Sequence, residues 1–409
     1  MQDATRELYW NIPSHWFMYV LFIGVVACFA IFFYRRYRLW KLGAPEDLSD
    51  HKPERFFGAF KEVFTQKRVV RKKSSGIMHL FIFWGMLFCL IATTLVALQD
   101  HLGIPILYGD FYLYFISLGI DLAGFVCAIG VVAALIRRAS KVNKSLETNR
   151  ADIIWLVLLL VILISGFATE GLRIVGTNDP WAIWSPIGYL FALVFSGMDA
   201  QALSLTHQII WWSHLVLAFA FLAFFTYSKM AHVLFIPGNY YFRSLKPAGT
   251  LEPIDFEDEE LETMGVRTLE EYTWKDLLDA QACIKCGRCQ ENCPAYLSGK
   301  ELSPMHFIQG IAEQNAKRGK ILLGVPEEDR TEEQAVFLDE GVVGTVISED
   351  ALWQCTTCRA CSEECPARIV HPEKDIKART YQVCMESAFP PEAQQTFRNL
   401  ETNGNPWGI

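Results

Sequence analysis

The chain has 409 residues, which is enough for two or three domains. Hydrophobic residues make up 52% of it and charged residues only 20%, and the net charge of −8 argues against nucleic-acid binding. Long apolar runs are confined to residues 1–236, whereas residues 237–409 have the composition of a soluble polypeptide. The sequence therefore predicts a membrane domain over 1–236 followed by soluble segments.

Five apolar segments are long enough to cross a bilayer as helices, which takes about 20 residues each. We predict spans near residues 16–34, 77–98, 111–136, 152–170 and 207–236. No basic region precedes the first apolar run, so we expect that span to be kept as an anchor and not removed as a signal peptide.

The loops between the spans differ in charge. Residues 35–75 hold twelve Lys or Arg and residues 137–150 hold five, whereas 99–110 hold none and 171–206 hold only Arg173. The positive-inside rule then predicts an inner-membrane protein with its amino terminus outside and both basic loops in the cytoplasm. The chain after the fifth span is expected in the cytoplasm as well.

Two further apolar segments lie outside these spans. In residues 53–66 the apolar side chains recur on one helical face, at Phe56, Phe60, Val63 and Phe64. This pattern is typical either of a helix on the inner membrane surface or of one packed on the soluble domain. Residues 181–198 are short and interrupted by Pro186 and Gly188, which favours an interfacial or re-entrant helix over a sixth span.

Histidine side chains in a bilayer are costly and are functional by default. His79 lies just inside the second span, and His214 and His232 are eighteen residues apart in the predicted fifth helix. That spacing predicts one common helix face and a separation of about 27 Å. Because imidazoles on facing helices can ligate haem iron from both sides, we predict an inner haem b held by His79 and His232. The alternative is that these histidines make polar contacts between helices.

A second, outer haem b has one predicted ligand, His214. The second span offers Cys89 where a histidine would complete the site. His101 and His207 are the candidates for the other ligand, although polar contacts between helices are the preferred interpretation for both. The sequence thus predicts one haem b or two.

Three ionisable residues in the membrane half are candidates for quinone chemistry. Asp121 falls near the middle of the third span, where a carboxylate can relay protons or bind a quinone oxygen. Glu170 and Arg173 flank Gly171 at the outer end of the fourth span. They form either a site for a quinone head group or a structural ion pair.

Residues 237–269 are predicted to be a linker. Pro237-Gly238-Asn239 predicts the end of the fifth helix. The acidic run from Asp255 to Glu262 is typical of a solvated segment, with a docking patch for a basic partner as the alternative.

Helical signals continue through the soluble half. Thr273 to Asp276 has the form of a capping box, and Ser303-Pro304 is a typical helix start. Residues 371–389 are also predicted to be helical, with Cys384 as a buried structural thiol. Residues 390–409 are rich in Pro, Gly and Asn and are predicted to form a tail.

The soluble half carries two runs of the form C-x2-C-x2-C-x3-C-P, which start at Cys283 and Cys355. This spacing is typical of [4Fe–4S] ligation, in which the fourth cysteine of each run serves the other cluster. We therefore predict one cluster on Cys283, Cys286, Cys289 and Cys365. The second is predicted on Cys355, Cys358, Cys361 and Cys293.

Zinc and disulfides explain these runs poorly. Zinc sites favour separated C-x2-C pairs, and disulfides need an oxidising compartment that the predicted topology excludes. Two clusters indicate a protein that moves electrons one at a time.

The membrane half resembles the gamma subunit of respiratory nitrate reductase, through its five spans and the placing of His79, His214 and His232. That family holds two haems b and exchanges electrons with quinol, which implies His79 with His232 for the inner haem and His214 for the outer one. Cys89 departs from the family pattern, because the remaining histidine would fall there.

The soluble half resembles the helical ferredoxin domain of heterodisulfide-reductase-type proteins, through its two cysteine runs and helical insert. The fusion of both halves is similar to membrane heterodisulfide-reductase-like proteins of the electron-transfer-flavoprotein:menaquinone oxidoreductase type. Members of that group generally continue into cysteine-rich CCG domains, which are absent here. We therefore expect either a fragment or a separate CCG-domain subunit.

The leading hypothesis is a quinone-linked oxidoreductase that passes electrons between a cytoplasmic donor, such as electron-transfer flavoprotein, and menaquinone. A heterodisulfide or sulfur-compound reductase component is the first alternative. A non-catalytic anchor that wires a larger redox complex to the quinone pool is the second. The expected fold is mainly α: a five-helix transmembrane haem b bundle, then a helical ferredoxin domain over 270–389 with two [4Fe–4S] clusters.

Overall fold

The computed structural model describes residues 4–140, 146–251, 253–257 and 262–409. These residues form helices and turns and no β-strand, which confirms the predicted mainly α fold class. Part of the acidic run from Asp255 to Glu262 lies outside the described residues.

The chain divides into two compact units. The first comprises residues 1–32, 69–144 and 148–231, and the second comprises 33–68, 145–147 and 232–409. This grouping differs from the predicted division at residue 236, because residues 33–68 cluster with the second unit.

Five helices among the described residues have the length and hydropathy of membrane spans, which confirms the predicted number. They are Phe17–Trp40, Lys73–Leu102, Gly109–Ala139, Arg150–Thr177 and Ala200–Phe225. The third consists of Gly109–Phe111, the π-helical segment Tyr112–Gly119 and Ile120–Ala139. Residues 181–198 form a 3₁₀ turn, Ala182–Trp184, and a helix, Pro186–Phe195. At 1.5 Å per residue this helix is about 15 Å long, too short to cross.

Small residues allow the helices of the first unit to approach closely. A Cβ atom at Gly85 would lie 2.5 Å from the Cβ of Cys127, and one at Gly171 would lie 2.7 Å from the Cβ of Phe191. Because lipid gives apolar helices no hydrophobic reason to associate, such close packing is a main source of bundle stability.

The fifth span ends earlier than the sequence predicts. The hydroxyls of Thr226 and Ser228 donate to the carbonyls of Ala223 and Phe225, and such bonds compete with helical pairing. A 3₁₀ turn, Lys229–Ala231, follows, and then a separate helix, His232–Tyr241. The predictions that His214 and His232 share one helix, and that Pro237 ends it, are therefore wrong, since Pro237 lies inside the second helix.

The second unit is built from short helices around longer ones. Thr273 caps the helix Trp274–Gln281 through the predicted capping box, and Ser303 caps Pro304–Leu322, as predicted. The other helices and turns are Lys67–Val70 at the boundary of the units, Leu269–Glu271, Arg288–Glu291, Pro294–Leu297, Glu327–Asp329, Glu332–Asp339, Val342–Thr345, Glu349–Trp353, Ala360–Glu364, His371–Cys384 and Pro391–Asn403.

Two predictions for the carboxyl-terminal region are wrong. The region predicted as a tail contains a helix, because Pro391 starts it and Gly404, at φ 68°, ends it. Cys384 is the last residue of the helix His371–Cys384 and is exposed, not buried as predicted. A thiol at the end of a helix is no longer covered by neighbouring turns, and the sequence pattern does not mark where that end falls.

The phenylalanine-rich segment forms the helix Lys52–Thr65 and belongs to the second unit. Arg55 anchors it, because this buried guanidinium donates to the carbonyls of Asp50 and Arg243 at 2.9 and 2.6 Å. Phe56 and Phe60 remain more than half exposed. This exposure favours the membrane-surface interpretation of the apolar face over packing on the second unit.

Asp121 fixes the start of the short helix Pro186–Phe195. Its carboxylate is buried and accepts hydrogen bonds from the backbone N–H groups of Ile187 and Gly188 at 2.7 and 3.0 Å. The first N–H groups of a helix have no partner within it, and a carboxylate there also meets the positive end of the helix dipole. This contact ties the third span to a segment 66 residues away in sequence.

Asp121→Ala is expected to destabilise the membrane unit by about 2 kcal/mol or more, because it leaves two buried N–H groups unpaired. Thermal unfolding of the whole protein in detergent measures the loss. Asp199→Ala is the matched control, since Asp199 caps Ala200–Phe225 at an exposed position and should cost only about 1 kcal/mol. Equal losses in the two variants would contradict this role of Asp121.

Candidate functional site

The two cysteine runs have the same backbone conformation. Lys285 and Thr357 occupy equivalent positions between the first two cysteines, and both have positive φ, at 57° and 53°. Gly287 and Arg359 occupy the next equivalent positions, with φ of 76° and 64°. Turns of this kind direct successive N–H groups inward and form anion-binding concavities, as at many iron–sulfur sites. The loops therefore fit an anionic cluster, although a left-handed backbone costs non-glycine residues about 1 kcal/mol each.

The first predicted thiol set is gathered from both runs. Burial, with a smaller contribution from the neighbouring Cys286 thiolate, raises the pKa of Cys283 to about 11. Burial likewise raises the pKa of Cys365, which interacts with Cys286 and Cys283. Cys289 interacts with the other three. Such buried thiols ionise only when a positive centre displaces their protons, as metal binding does.

The second predicted thiol set lines one cavity that is open to solvent, with about 440 Å³ of empty space in all. Cys293, Cys355, Cys358 and Cys361 all lie on its wall. Burial raises the pKa of Cys355 to about 11 and that of Cys361 to about 12. Cys358, by contrast, is exposed to solvent.

The helices that follow the cysteine loops, Arg288–Glu291 and Ala360–Glu364, pack against each other. Between them Cys289 and Cys361 share a small core with Met305, from the helical insert. Within the described residues no three His, Cys, Asp or Glu side chains converge as the ligands of a single metal ion would. Four of the thiols instead line the open cavity described above.

His371 and Asp375 also line the cavity, and no sequence pattern pointed to either. Burial, and then the nearby Lys374, lowers the pKa of His371 to about 4, so its ring is neutral at pH 7. Burial raises the pKa of Asp375 to about 7 against the opposing effect of Arg379. Both belong to the helix His371–Cys384, which no cysteine motif marks.

A buried ion cluster lies behind the Cys365 loop. Lys374 is fully buried, and its ammonium contacts the carboxylates of Asp279 and Asp276 at 2.6 and 3.0 Å. Lys275 contacts Asp279 at 2.6 Å, and Lys377 contacts Asp276 at the same distance. Burial alone would raise the pKa of Asp276, but Lys374 and Lys377 outweigh it and hold that pKa well below its usual range.

His214 has a geometry that suits an iron ligand. Its Nδ1 lies 2.9 Å from the hydroxyl oxygen of Ser165, which donates its own proton to the carbonyl of Ile162. In the tautomer in which the Ser165 oxygen accepts the Nδ1 proton, the Nε2 lone pair is left for a metal. Metal-ligating histidines are commonly oriented in this way. The sequence analysis did not identify Ser165, although a serine within an apolar span could have indicated a polar contact there.

Of the other predicted haem histidines, His101 and His207 each contact an aromatic ring. His207 is buried, packs in a tilted arrangement against Trp10 with a centroid distance of 4.7 Å, and has no hydrogen-bond partner at Nδ1 within the described residues. The His101 ring packs in a tilted arrangement against Tyr19, with a centroid distance of 4.8 Å. His79 lies in the first unit and His232 begins the last segment of the second, so their pairing stays a prediction.

Glu170 and Arg173 form an ion pair at 2.8 Å. Arg173 also contacts Asp179 at 2.8 Å, and Arg6 lies 3.5 Å from Glu170. Of the two interpretations of Glu170 and Arg173, these contacts favour the structural ion pair.

Two families match parts of the chain. Residues 279–369 match the 4Fe-4S dicluster domain, and residues 70–247 match the nitrate reductase gamma subunit. No solved structure matches the chain significantly.

Curated relatives match most of the chain. It is 37% identical to EtfAB:quinone oxidoreductase of Syntrophomonas wolfei, over 98% of this chain and 59% of the relative. It is 31% identical to the probable iron-sulfur-binding oxidoreductase FadF of Bacillus subtilis, over 90% and 56%. A shorter match, 27% identical over 43% of this chain and 62% of the relative, is to one component of the dihydromethanophenazine:CoB--CoM heterodisulfide reductase of Methanosarcina barkeri. The chain thus spans less than three fifths of the length of the first two relatives.

Lys374→Met is expected to destabilise the second unit by about 3–5 kcal/mol at pH 7, because it strands two buried carboxylates. In the unmodified protein the pKa values of Asp276 and Asp279 are lowered, so their stabilising contribution is complete above about pH 5. It begins to decrease near the unfolded value of about 3.9 and is lost as the pH falls through the lower folded-state pKa values. The stability difference should therefore shrink in acid, as measured by thermal unfolding of the whole protein. Lys377→Met, at a partly exposed pair, is the control and should cost about 1 kcal/mol or less.

Proposed function

We propose that this chain, which joins a nitrate reductase gamma-like membrane domain to a 4Fe-4S dicluster domain, carries electrons between a cytoplasmic donor and menaquinone. The observation that carries the proposal is the grouping of eight cysteine thiols into two neighbouring sets. The name of the Syntrophomonas relative supports electron-transfer flavoprotein as the donor and a quinone as the acceptor.

Each set of thiolates would hold a [4Fe–4S] cluster, which accepts and releases one electron. Cys283, Cys286, Cys289 and Cys365 form one ligand set, and Cys293, Cys355, Cys358 and Cys361 form the other. The protein's own contribution is to place both sets side by side, to bury the first, and to direct backbone N–H groups at the cluster charge.

The chain is an integral membrane protein, and its membrane domain would hold haem b. His79 and His232 are the proposed ligands of the inner haem. His214 is the proposed ligand of an outer haem, with Ser165 fixing its ring and His101 or His207 as the candidate on the other side. Asp121 caps a helix, and Glu170 pairs with Arg173. Each of these three residues therefore has a structural role as the alternative to its proposed role in quinone binding.

A role within a heterodisulfide reductase is the second candidate. The match to the heterodisulfide reductase component of Methanosarcina barkeri favours it. In that case a separate CCG-domain subunit would supply the remaining redox centre, and co-purification of such a subunit would decide for this role.

Anaerobically purified protein should contain about eight non-haem irons per chain, from two [4Fe–4S] clusters, and show a haem b spectrum on reduction. His232→Ala should remove the inner haem, while the control His101→Ala should retain it. Reduced electron-transfer flavoprotein should reduce both clusters and haem in quinone-containing vesicles. Haem reduction by quinol without any cluster reduction, even with the flavoprotein present, would overturn the proposed route.

The proposed orientation has its own test. Cys384 is exposed and lies in the dicluster half, so a membrane-impermeant maleimide should label it only where the cytoplasmic face is accessible. Cys28 and Cys358 are also exposed, so the labelling that counts is the part lost in Cys384→Ser. We expect that part in inside-out vesicles and little of it in sealed right-side-out ones. The reverse pattern would place the dicluster domain outside.

A further inference from the structure

The turn after Cys365 is held by side chains from a helix that no cysteine motif includes. The Tyr240 hydroxyl donates to the carbonyl of Pro366 at 2.7 Å, and the Asn239 amide donates to the carbonyl of Ala367 at 2.8 Å. Both side chains are almost fully buried. Burial raises the pKa of Tyr240, so its hydroxyl keeps its proton and remains a donor at physiological pH.

The same turn directs a backbone donor at the sulfur of Cys365. Arg368 adopts a left-handed conformation, with φ of 57°, and the N–H of Ile369 then points at Cys365 Sγ at 3.5 Å. A non-glycine residue holds such a conformation only where its surroundings enforce it. Hydrogen bonds to cluster sulfurs are one of the factors that set a cluster's reduction potential.

The turn is also tied to the ion cluster. Lys374 donates to the carbonyl of Val370 at 3.0 Å, and Lys275 donates to the Asn239 side chain at 2.8 Å. Asn239 therefore links the ion cluster to the Cys365 turn. Cys293, the equivalent position of the first run, is followed instead by the helix Pro294–Leu297, where Leu297 is exposed.

We infer that Tyr240 and Asn239 are positioning residues that hold the Cys365 turn and thereby set the reduction potential of the cluster that Cys365 ligates. They lie on the helix His232–Tyr241, whose first residue is the proposed inner-haem ligand, about 12 Å along the axis from Tyr240. This inference rests on the proposed function, because it takes Cys365 as a cluster ligand. It assigns to that helix the task of tuning one of the two clusters and not the other.

The test is a redox titration of the intact protein, followed by electron paramagnetic resonance of the reduced clusters. Tyr240→Phe removes only the hydroxyl that donates to Pro366, so the Ile369 N–H should relax away from Cys365. Loss of a donor destabilises the more negative reduced state, so the midpoint potential of one cluster should fall while the other stays fixed. Tyr241→Phe is the matched control and should shift neither.

Cys365→Ser and Cys358→Ser identify which signal belongs to which ligand set. Asn239→Ala should shift the same signal as Tyr240→Phe, and iron content in each variant shows whether the clusters have assembled. Unchanged potentials in both assembled variants, or a shift confined to the Cys358 cluster, would overturn the inference while leaving the proposed function intact. Absence of both cluster signals from the unmodified protein would overturn the two together.

Discussion

The second unit is organised by the need to bring together two cysteine runs that are about sixty residues apart. In the proposed assignment each run supplies three thiols to one set and its fourth to the other, so neither set would be complete without the other run. The insert between them is helical, and its Met305 packs between Cys289 and Cys361. Closing a loop of this length has an entropic cost that grows only slowly with length, and the shared core offsets it.

The second unit also depends on the buried ion cluster that lies close to the Cys365 turn. Lys374 has two carboxylate partners and a backbone acceptor, so its buried ammonium is fully paired. Such pairing is worth less as net stability than as a fixed arrangement, because removing any member strands the others. Asn239 and Val370 connect the Cys365 turn to this ion cluster and so restrain the turn. This restraint explains how Arg368 is held in its strained left-handed conformation.

In the membrane unit several polar groups are satisfied by one another, whereas His207 Nδ1 has no partner within the described residues. Asp121 caps a helix, Arg173 is shared by Glu170 and Asp179, and Ser165 orients His214. Unpaired polar groups are costly in lipid, so each of these contacts has structural value whatever chemistry it also serves. The polar residues predicted from the sequence to bind quinone are thus the same ones that hold the spans and the short helix together.

Local patterns in the sequence were sufficient for the number of spans, the helical fold class, the caps at Thr273 and Ser303, and the resemblance to the two families, all of which are confirmed. These features depend on composition and on spacings within one turn or one span. Tertiary structure alone decided that Asp121 caps a helix 66 residues away and that Tyr240 holds the turn after Cys365. Hydrogen bonds between residues so distant in sequence leave no periodicity or spacing to read, so only the folded chain reveals them.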